Sequence, residues 1–514
     1  MRIQNSLNNM FFGLSGQVIS AIMGFMVRTV FIYTLGIEYL GVDGLFTSIL
    51  IMLSLANLGF DTAIVYSLYK PLAENDINRI QALMNLYQKA YRRIGIIILL
   101  IGLSLLPFLP NLMNGETTIS NITIIYLLFL SNSVLSYYFV YKQSIIIADQ
   151  RNHIISKIHT VFTIVSNIAQ IIVLVSIGNY IVVLSTQIAF RVIENVYVAN
   201  KANQLYPYLA TKNNATLSKE DRKLFFENLY ALMLYKISGV VISGTDNIII
   251  SKFVGIVWVG VYSNYLLIIS TLNTLLGYLF YSITASVGNL NVNENAEKKY
   301  FVFRVLNFAN FWIYGFCVVS LWSLINPFIN IWLGDKYVFE KYIVFAILLN
   351  FFTAGMQNAS TTFRDTTGLF KRGKYRPIIA AIINVVVSII LVQKMGIAGV
   401  LLGTVISRFC TYFWYDPYVI FRFVFKRSVM SYFVRYICFV LLVTLSAIIT
   451  DTLGGLISTS LILNIVIRAV LCLIIPNFIF FMIFRKSEEF KYLWNIAHSI
   501  TNKIPSRLLV KESP

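Results

Sequence analysis

From Phe11 to Phe484 the sequence is a succession of long apolar stretches separated by short polar turns. Crossing the hydrocarbon core of a bilayer takes about 20 mostly apolar residues as a helix. By that measure the chain predicts fourteen spans: 11–34, 42–68, 94–113, 121–147, 154–177, 179–200, 229–251, 256–287, 303–333, 342–363, 377–393, 397–420, 432–450 and 460–484. Only 12% of the residues are charged, against about 25% in an ordinary soluble protein. So few charges cannot cover a globule of 514 residues, and lipid must face much of its surface. The fold class is therefore an all-α polytopic membrane protein. The opening MRIQNSLNNM lacks a convincing small-residue cleavage site, so residues 11–34 read as a retained first span.

The distribution of charge tests this list. With the N-terminus placed in the cytoplasm, 32 of the 41 Lys and Arg residues fall in segments assigned to the inner side or at the inner ends of the spans that flank them. Four (Lys252, Lys336, Lys341 and Lys394) fall outside, and the remaining five lie within spans. This is the bias of a multi-pass protein with both termini cytoplasmic, and a one-span error would scramble it. The net charge of +19 then reads as loops facing anionic phospholipid at the inner face rather than nucleic acid.

The longest polar interruption, Asn200–Asn228, separates two stretches that echo each other. LGIEYLGV with Gly36 and Gly41 lies 219 residues before VGIVWVGV with Gly255 and Gly260. FLPN around Asn111 faces PFIN around Asn330 at the same offset, and Arg191 lies over Arg408 at an offset of 217. We read a duplicated unit of six spans: a bundle at 1–203, a cytoplasmic or interfacial linker at 204–228 and a second bundle at 229–425. Two further spans at 426–484 and a cytoplasmic tail at 485–514 follow. With an even number of spans in each half, the repeats are parallel, and two such bundles enclose a cleft that opens by rocking. Within the linker, Ser218 is positioned to cap a helix with Asp221 three residues on, and its apolar face suits the inner leaflet.

Charges inside spans are costly and mark candidate sites. Arg28 lies in the first span, Asp61 in the second, and Lys236 and Asp246 in the seventh; Asp246 is one residue from the counterpart of Arg28. Arg28 and Lys236 would attract an anionic head group, since guanidinium offers paired donors to phosphate oxygens. Asp61 and Asp246 would tune them or carry an exchanged H+ or Na+, and the alternative for all four is a structural ion pair. Arg191, paired with Glu194 at i,i+3, and its counterpart Arg408 are further substrate-binding candidates; the alternative is snorkelling at the interface. Arg468 in the last span reads as structural, and Arg364 beside Asp365 as an anchor or gate. Asn and Gln recur inside spans, among them Asn132 and Gln187, and serve equally as helix glue or as a sugar-binding lining.

No Walker A, GxGxxG or HExxH pattern occurs, and the four cysteines form no CxxC. We expect no enzyme activity, no cofactor and no bound metal. The stretch from Asn8 through the YTLGIEYLG turn (Tyr33–Gly41), LSLANLGF (Leu53–Phe60) and Lys70-Pro71 resembles the polysaccharide transport family of bacterial flippases. That family belongs with the multidrug/oligosaccharidyl-lipid/polysaccharide exporter superfamily. The resemblance spans roughly residues 1–425 and is most specific in the first 90. It implies a protein of the bacterial cytoplasmic membrane that moves undecaprenyl-diphosphate-linked oligosaccharide between leaflets, with a polysaccharide polymerase as a partner. It also singles out Arg28, because cavity arginines in the first span recur in such proteins. A drug or small-solute exporter of the same superfamily, or a non-transporting polymerase or scaffold, are the alternatives.

Overall fold

The computed structural model describes residues 2–54, 60–113, 119–209, 211, 215–373, 375–456 and 460–508. Within helices, the side chains of 2–11, 61–62, 500–508 and scattered positions between 224 and 371 are not described. The described residues are helical almost throughout, as a chain facing lipid requires, because a helix satisfies its backbone groups internally. The long helices are α1 (Arg2–Leu35), α2 (Ile37–Leu53), α3 (Phe60–Glu74), α4 (Ile77–Ser104) and α5 (Ile122–Phe139). They continue with α6 (Asn152–Ser176), α7 (Tyr180–Leu205), α8 (Lys219–Phe253), α9 (Ile256–Asn293) and α10 (Ala296–Leu333). The series ends with α11 (Lys341–Gly355), α12 (Asn358–Thr366), α13 (Arg376–Ile420), α14 (Met430–Gly455), α15 (Leu461–Phe484) and α16 (Glu488–Leu508). Among the described residues, eleven helical segments are long and apolar enough to cross a membrane. One of them, Arg376–Phe425, breaks at Gly396, where φ is 55° and ψ −135°. Beyond the break the chain turns back, so that Ser388 Oγ donates to Val400 O at 3.1 Å.

Helix starts follow local chemistry. Asp76 accepts from Arg79 N–H at 3.0 Å, Asn295 from Lys298 N–H at 2.9 Å, and Asn179 from Ile181 N–H at 2.9 Å. Ser218 accepts from Asp221 N–H at 3.0 Å, the cap expected in the linker. The expected inner-leaflet helix is not a separate element, however. α8 runs unbroken from Lys219 to Phe253, because no proline interrupts it and its apolar face continues into the seventh expected span.

The chain packs into two compact units. The first comprises Met1–Tyr278 and Lys374–Gly403. In it α1 packs along α6, and α8 along α2. The echo seen in sequence becomes a reciprocal helix crossing: a Cβ on Gly41 would collide with the Ile256 carbonyl, and one on Gly260 with the Ile37 carbonyl. Each half contributes one glycine and one carbonyl at matching positions, and Gly36 and Gly255 enter the crossing with φ of 92° and 127°. Only glycine permits both the backbone approach and those angles. Gly41→Val or Gly260→Val is expected to cost about 1–3 kcal/mol of stability through overpacking, read as a lower melting temperature in detergent.

The second unit comprises Leu279–Gly373 and Thr404–Pro514. Here α14 and α15 pack on α10 through aromatic rings, Phe311 stacking on Phe439 with centroids 3.9 Å apart. Arg364 bridges Asp365 and the fully buried Asp416, each at 2.8 Å. Arg468 Nη1 meets Asp451 at 3.1 Å, in keeping with a structural role. Near the start of α16, Glu489 is clamped between Arg304 and Arg435, both at 2.7 Å. These two guanidinium groups overcome the burial of Glu489 and pull its carboxyl from the ordinary 4.5 to about 2. A depressed carboxyl contributes stability that is complete above its ordinary value and lost as pH falls towards about 2. Thermal denaturation from pH 6 down to pH 3 should show wild type losing its advantage over Glu489→Gln below about pH 4.5.

Candidate functional site

The site assembles in the first unit from three helix faces. Along α2, Asp43, Thr47 and Ser54 follow a helical spacing; α5 adds Asn132, Ser133 and Ser136; α7 adds Gln187 and Arg191. Together with apolar neighbours they enclose a cavity of about 380 Å³. From Asp43 to Ser54 this polar stripe runs about 16 Å along the helix axis. Amides and hydroxyls dominate its polar lining, with one carboxylate and one guanidinium added.

At one end Asp43 accepts a hydrogen bond from Tyr180 Oη, 3.0 Å away, at the first residue of α7. Tyr180 is fixed by edge-on contacts with Phe31 and Tyr39, ring centroids 5.3 and 5.4 Å apart. Arg28 reaches the same group from α1, within electrostatic range of both Asp43 and Tyr180 but beyond ion-pair distance. Its Nη1 is enclosed and has no hydrogen-bond partner among the described residues. An enclosed guanidinium with an unused donor facing a hydrogen-bonded carboxylate can take an anionic group, or close on Asp43 when none is there.

Arg191, on the cavity wall, lies 3.6 Å from Glu194, which is only 8% exposed. Glu194 is also held by His159 Nδ1 at 2.8 Å. The i,i+3 pair read from the sequence thus has a third member on α6.

No protein-family model and no curated protein sequence matches the chain. Solved structures do. The lipid II flippase MurJ in an inward closed conformation superposes with a TM-score of 0.63 at 17% identity, covering 94% of this chain and 99% of that one. An inward-facing multidrug resistance MATE family transporter of the MOP superfamily gives 0.63 at 14%, covering 80% and 98%. The Vibrio cholerae MATE transporter VcmN gives 0.58 at 12%, covering 82% and 98%. The chain has the fold of these transporters.

On this fold the sequence candidates separate. Arg28 acts electrostatically on Asp43, and Arg191 lines the same cavity eleven residues along α7 from Tyr180, the partner of Asp43. Lys236 is exposed on α8 and forms no ion pair among the described residues. Asp246 is half-buried and within electrostatic range of the buried Tyr262, while its neighbour Asn247 donates to Ser48 Oγ at 3.0 Å. The Asp61 side chain lies outside the described residues. Arg408 belongs to the second unit, where its Nη1 donates to Asn350 Oδ1 at 2.9 Å and Thr353 Oγ1 at 2.6 Å. Sequence reasoning missed Asp43, Tyr180 and His159. For Asp43 a signal existed: it is an acid just inside an apolar span, followed at helical spacing by Thr47 and Ser54. Among the described residues no group of three or more His, Cys, Asp or Glu side chains is placed to hold a metal ion.

Proposed function

We propose that this chain is a membrane flippase that moves undecaprenyl-diphosphate-linked oligosaccharide from the inner to the outer leaflet by alternating access. The observation that carries the reading is Arg28, a guanidinium with an enclosed, unpartnered Nη1 inside the first span. Such a donor suits a diphosphate, and its cost in an apolar setting calls for a function. The shared fold with a lipid II flippase over 94% of the chain supports the same class of substrate. In this reading the chain has fourteen spans with both termini cytoplasmic. A six-helix bundle (1–203) and its parallel repeat (229–425) flank the linker, and two added spans precede the tail. It resides in the bacterial cytoplasmic membrane as a transporter, not an enzyme, beside anionic phospholipid and a polysaccharide polymerase.

The mechanism follows from the competition around Asp43. Asp43 is the carboxylate that acts on Arg28. A proton or Na+ taken up at Asp43, with the Asn132 and Gln187 amides in the same cavity, neutralises it and frees Arg28 for the diphosphate. Lys236, Arg191 and Arg408 are secondary cationic contacts, and Asp61 and Asp246 are alternative carriers of the cation. The glycan occupies the polar cavity of the open protein while the polyprenyl tail stays in lipid.

An equal TM-score to a multidrug MATE transporter favours a second reading, export of a drug or small solute. Cells lacking the chain separate the two. The flippase reading expects lipid-linked oligosaccharide to accumulate with drug tolerance unchanged; lost drug tolerance with normal precursor levels would replace it by the exporter reading. Asp43→Asn is expected to remove any dependence of transport on a proton or Na+ gradient, measured in proteoliposomes with each gradient imposed separately.

A further inference from the structure

A basic cavity lies in the first unit, away from Asp43. One face of α4 supplies Gln81, Asn85, Gln88, Lys89 and Arg92 at helical spacing. Lys142 and Tyr141 close the side, and Leu209, Thr211 and Ala215 from the linker form the roof. The volume is about 900 Å³, at the upper end of ligand pockets. A second cavity of about 440 Å³ shares Asn85, Lys89, Ala215 and Thr216 with the first and adds Arg93 and Arg222.

The walls are held by polar contacts. Gln81 Nε2 donates to Tyr208 O at 2.7 Å, Asn85 Nδ2 to Ala215 O at 3.2 Å, and Gln88 Nε2 to the Tyr141 hydroxyl at 2.9 Å. Lys142 Nζ donates to Asn203 Oδ1 at 2.8 Å. Tyr208 and Ala215 of the linker are thereby fastened to α4.

The charge is one-sided. Lys89, Arg92, Arg93, Lys142 and Arg222 line the two cavities, and no Asp or Glu does among the described residues. Nearby acids are committed elsewhere: Asp221 to Arg79 at 2.6 Å, and Asp149 to Arg151 at 3.0 Å and the Tyr206 hydroxyl at 2.7 Å. Among the described residues, none of the five cations has a carboxylate within ion-pair distance. Inner loops are rich in Lys and Arg in any multi-pass protein, and a merely solvated face would explain the sign. It does not explain why these cations converge on two adjoining hollows, the larger lined with amides, where an anion would relieve their mutual repulsion.

We infer that this pair of cavities is a binding site for a phosphorylated anion, built by α4 and the linker, separate from the transport site. Phosphate oxygens match this donor set of guanidinium, ammonium, amide and hydroxyl groups. Two sources share that chemistry: the head group of an anionic phospholipid of the inner leaflet, or a soluble phosphorylated compound. Occupancy would brace the linker, since Asn85 contacts its backbone from between the two cavities.

The test uses the purified full chain in nanodiscs. One arm compares melting temperature and lipid retention in pure phosphatidylcholine with discs containing phosphatidylglycerol and cardiolipin. The other titrates pyrophosphate into phosphatidylcholine discs. Wild type should bind in at least one arm, and Lys89→Gln/Arg92→Gln should weaken that binding at least tenfold. Asn85→Asp, which adds a carboxylate without removing a cation, should weaken it too, while Lys426→Gln, outside the site, should not. A response in the lipid arm alone names the head group as ligand, and in the pyrophosphate arm alone a soluble anion. Absence of binding in both arms, or equal binding by wild type and the site variants, overturns the inference. The readout is independent of transport, so its failure leaves the flippase reading untouched, and the converse holds.

Discussion

Arg28→Ala is expected to reduce delivery of lipid-linked oligosaccharide to the outer leaflet at least about tenfold, a loss of about 1.4 kcal/mol or more. The variant removes the enclosed guanidinium near Asp43 and leaves that carboxylate, among the described residues, with its Tyr180 hydrogen bond. Breaking a buried ionic pair by deleting one member costs about 3–5 kcal/mol. Arg28 keeps part of its surface exposed and stands beyond contact distance, so the stability loss should fall below that range. Arg28→Lys should recover only part of the transport, because an ammonium cannot present paired donors to a diphosphate. The double variant Arg28→Ala/Asp43→Asn separates structure from function. It removes the stranded charge and should restore the amount of folded protein while transport stays low. Recovery of transport in the double variant would make the pair structural.

The largest stability effect is expected at Arg364. Its side chain is 5% exposed and that of its partner Asp416 1% exposed, with 2.8 Å between them. Arg364→Ala removes the guanidinium that Asp416 meets in the interior of the second unit and should cost about 3–5 kcal/mol. Arg364→Lys should rescue little, since one ammonium cannot hold Asp365 and Asp416 with the geometry of the guanidinium fork. Chemical denaturation in mild detergent measures the loss. The double variant Arg364→Ala/Asp416→Ala should be more stable than Arg364→Ala alone; an unchanged midpoint in the single variant would show that solvent reaches the pair.

The helices were legible because apolar length alone dictates them in a lipid-facing chain, and Ser218 announced its cap three residues before the N–H it accepts. The LGIEYLGV and VGIVWVGV echo is realised as a crossing where the glycine of each motif admits the isoleucine carbonyl of the other. The site was only half legible. Arg28 and Arg191 stood out as charges within spans, but Asp43 sits at the edge of one and was passed over. Its bond to Tyr180 joins residues 137 positions apart, beyond the reach of any local pattern. His159 was one of three scattered histidines until α6 met α7 and brought it to Glu194. The continuity of α8 was hidden by its polar start, which resembled a free surface helix.

The most direct test of the flippase reading is leaflet-resolved access to the undecaprenyl-diphosphate oligosaccharide in intact cells, using a sugar-binding probe that cannot cross the membrane. Cells lacking the chain, or carrying Arg28→Ala in its place, should accumulate precursor that the probe cannot reach, and the wild-type chain should restore access. Precursor that reaches the outside normally without the chain would contradict the account.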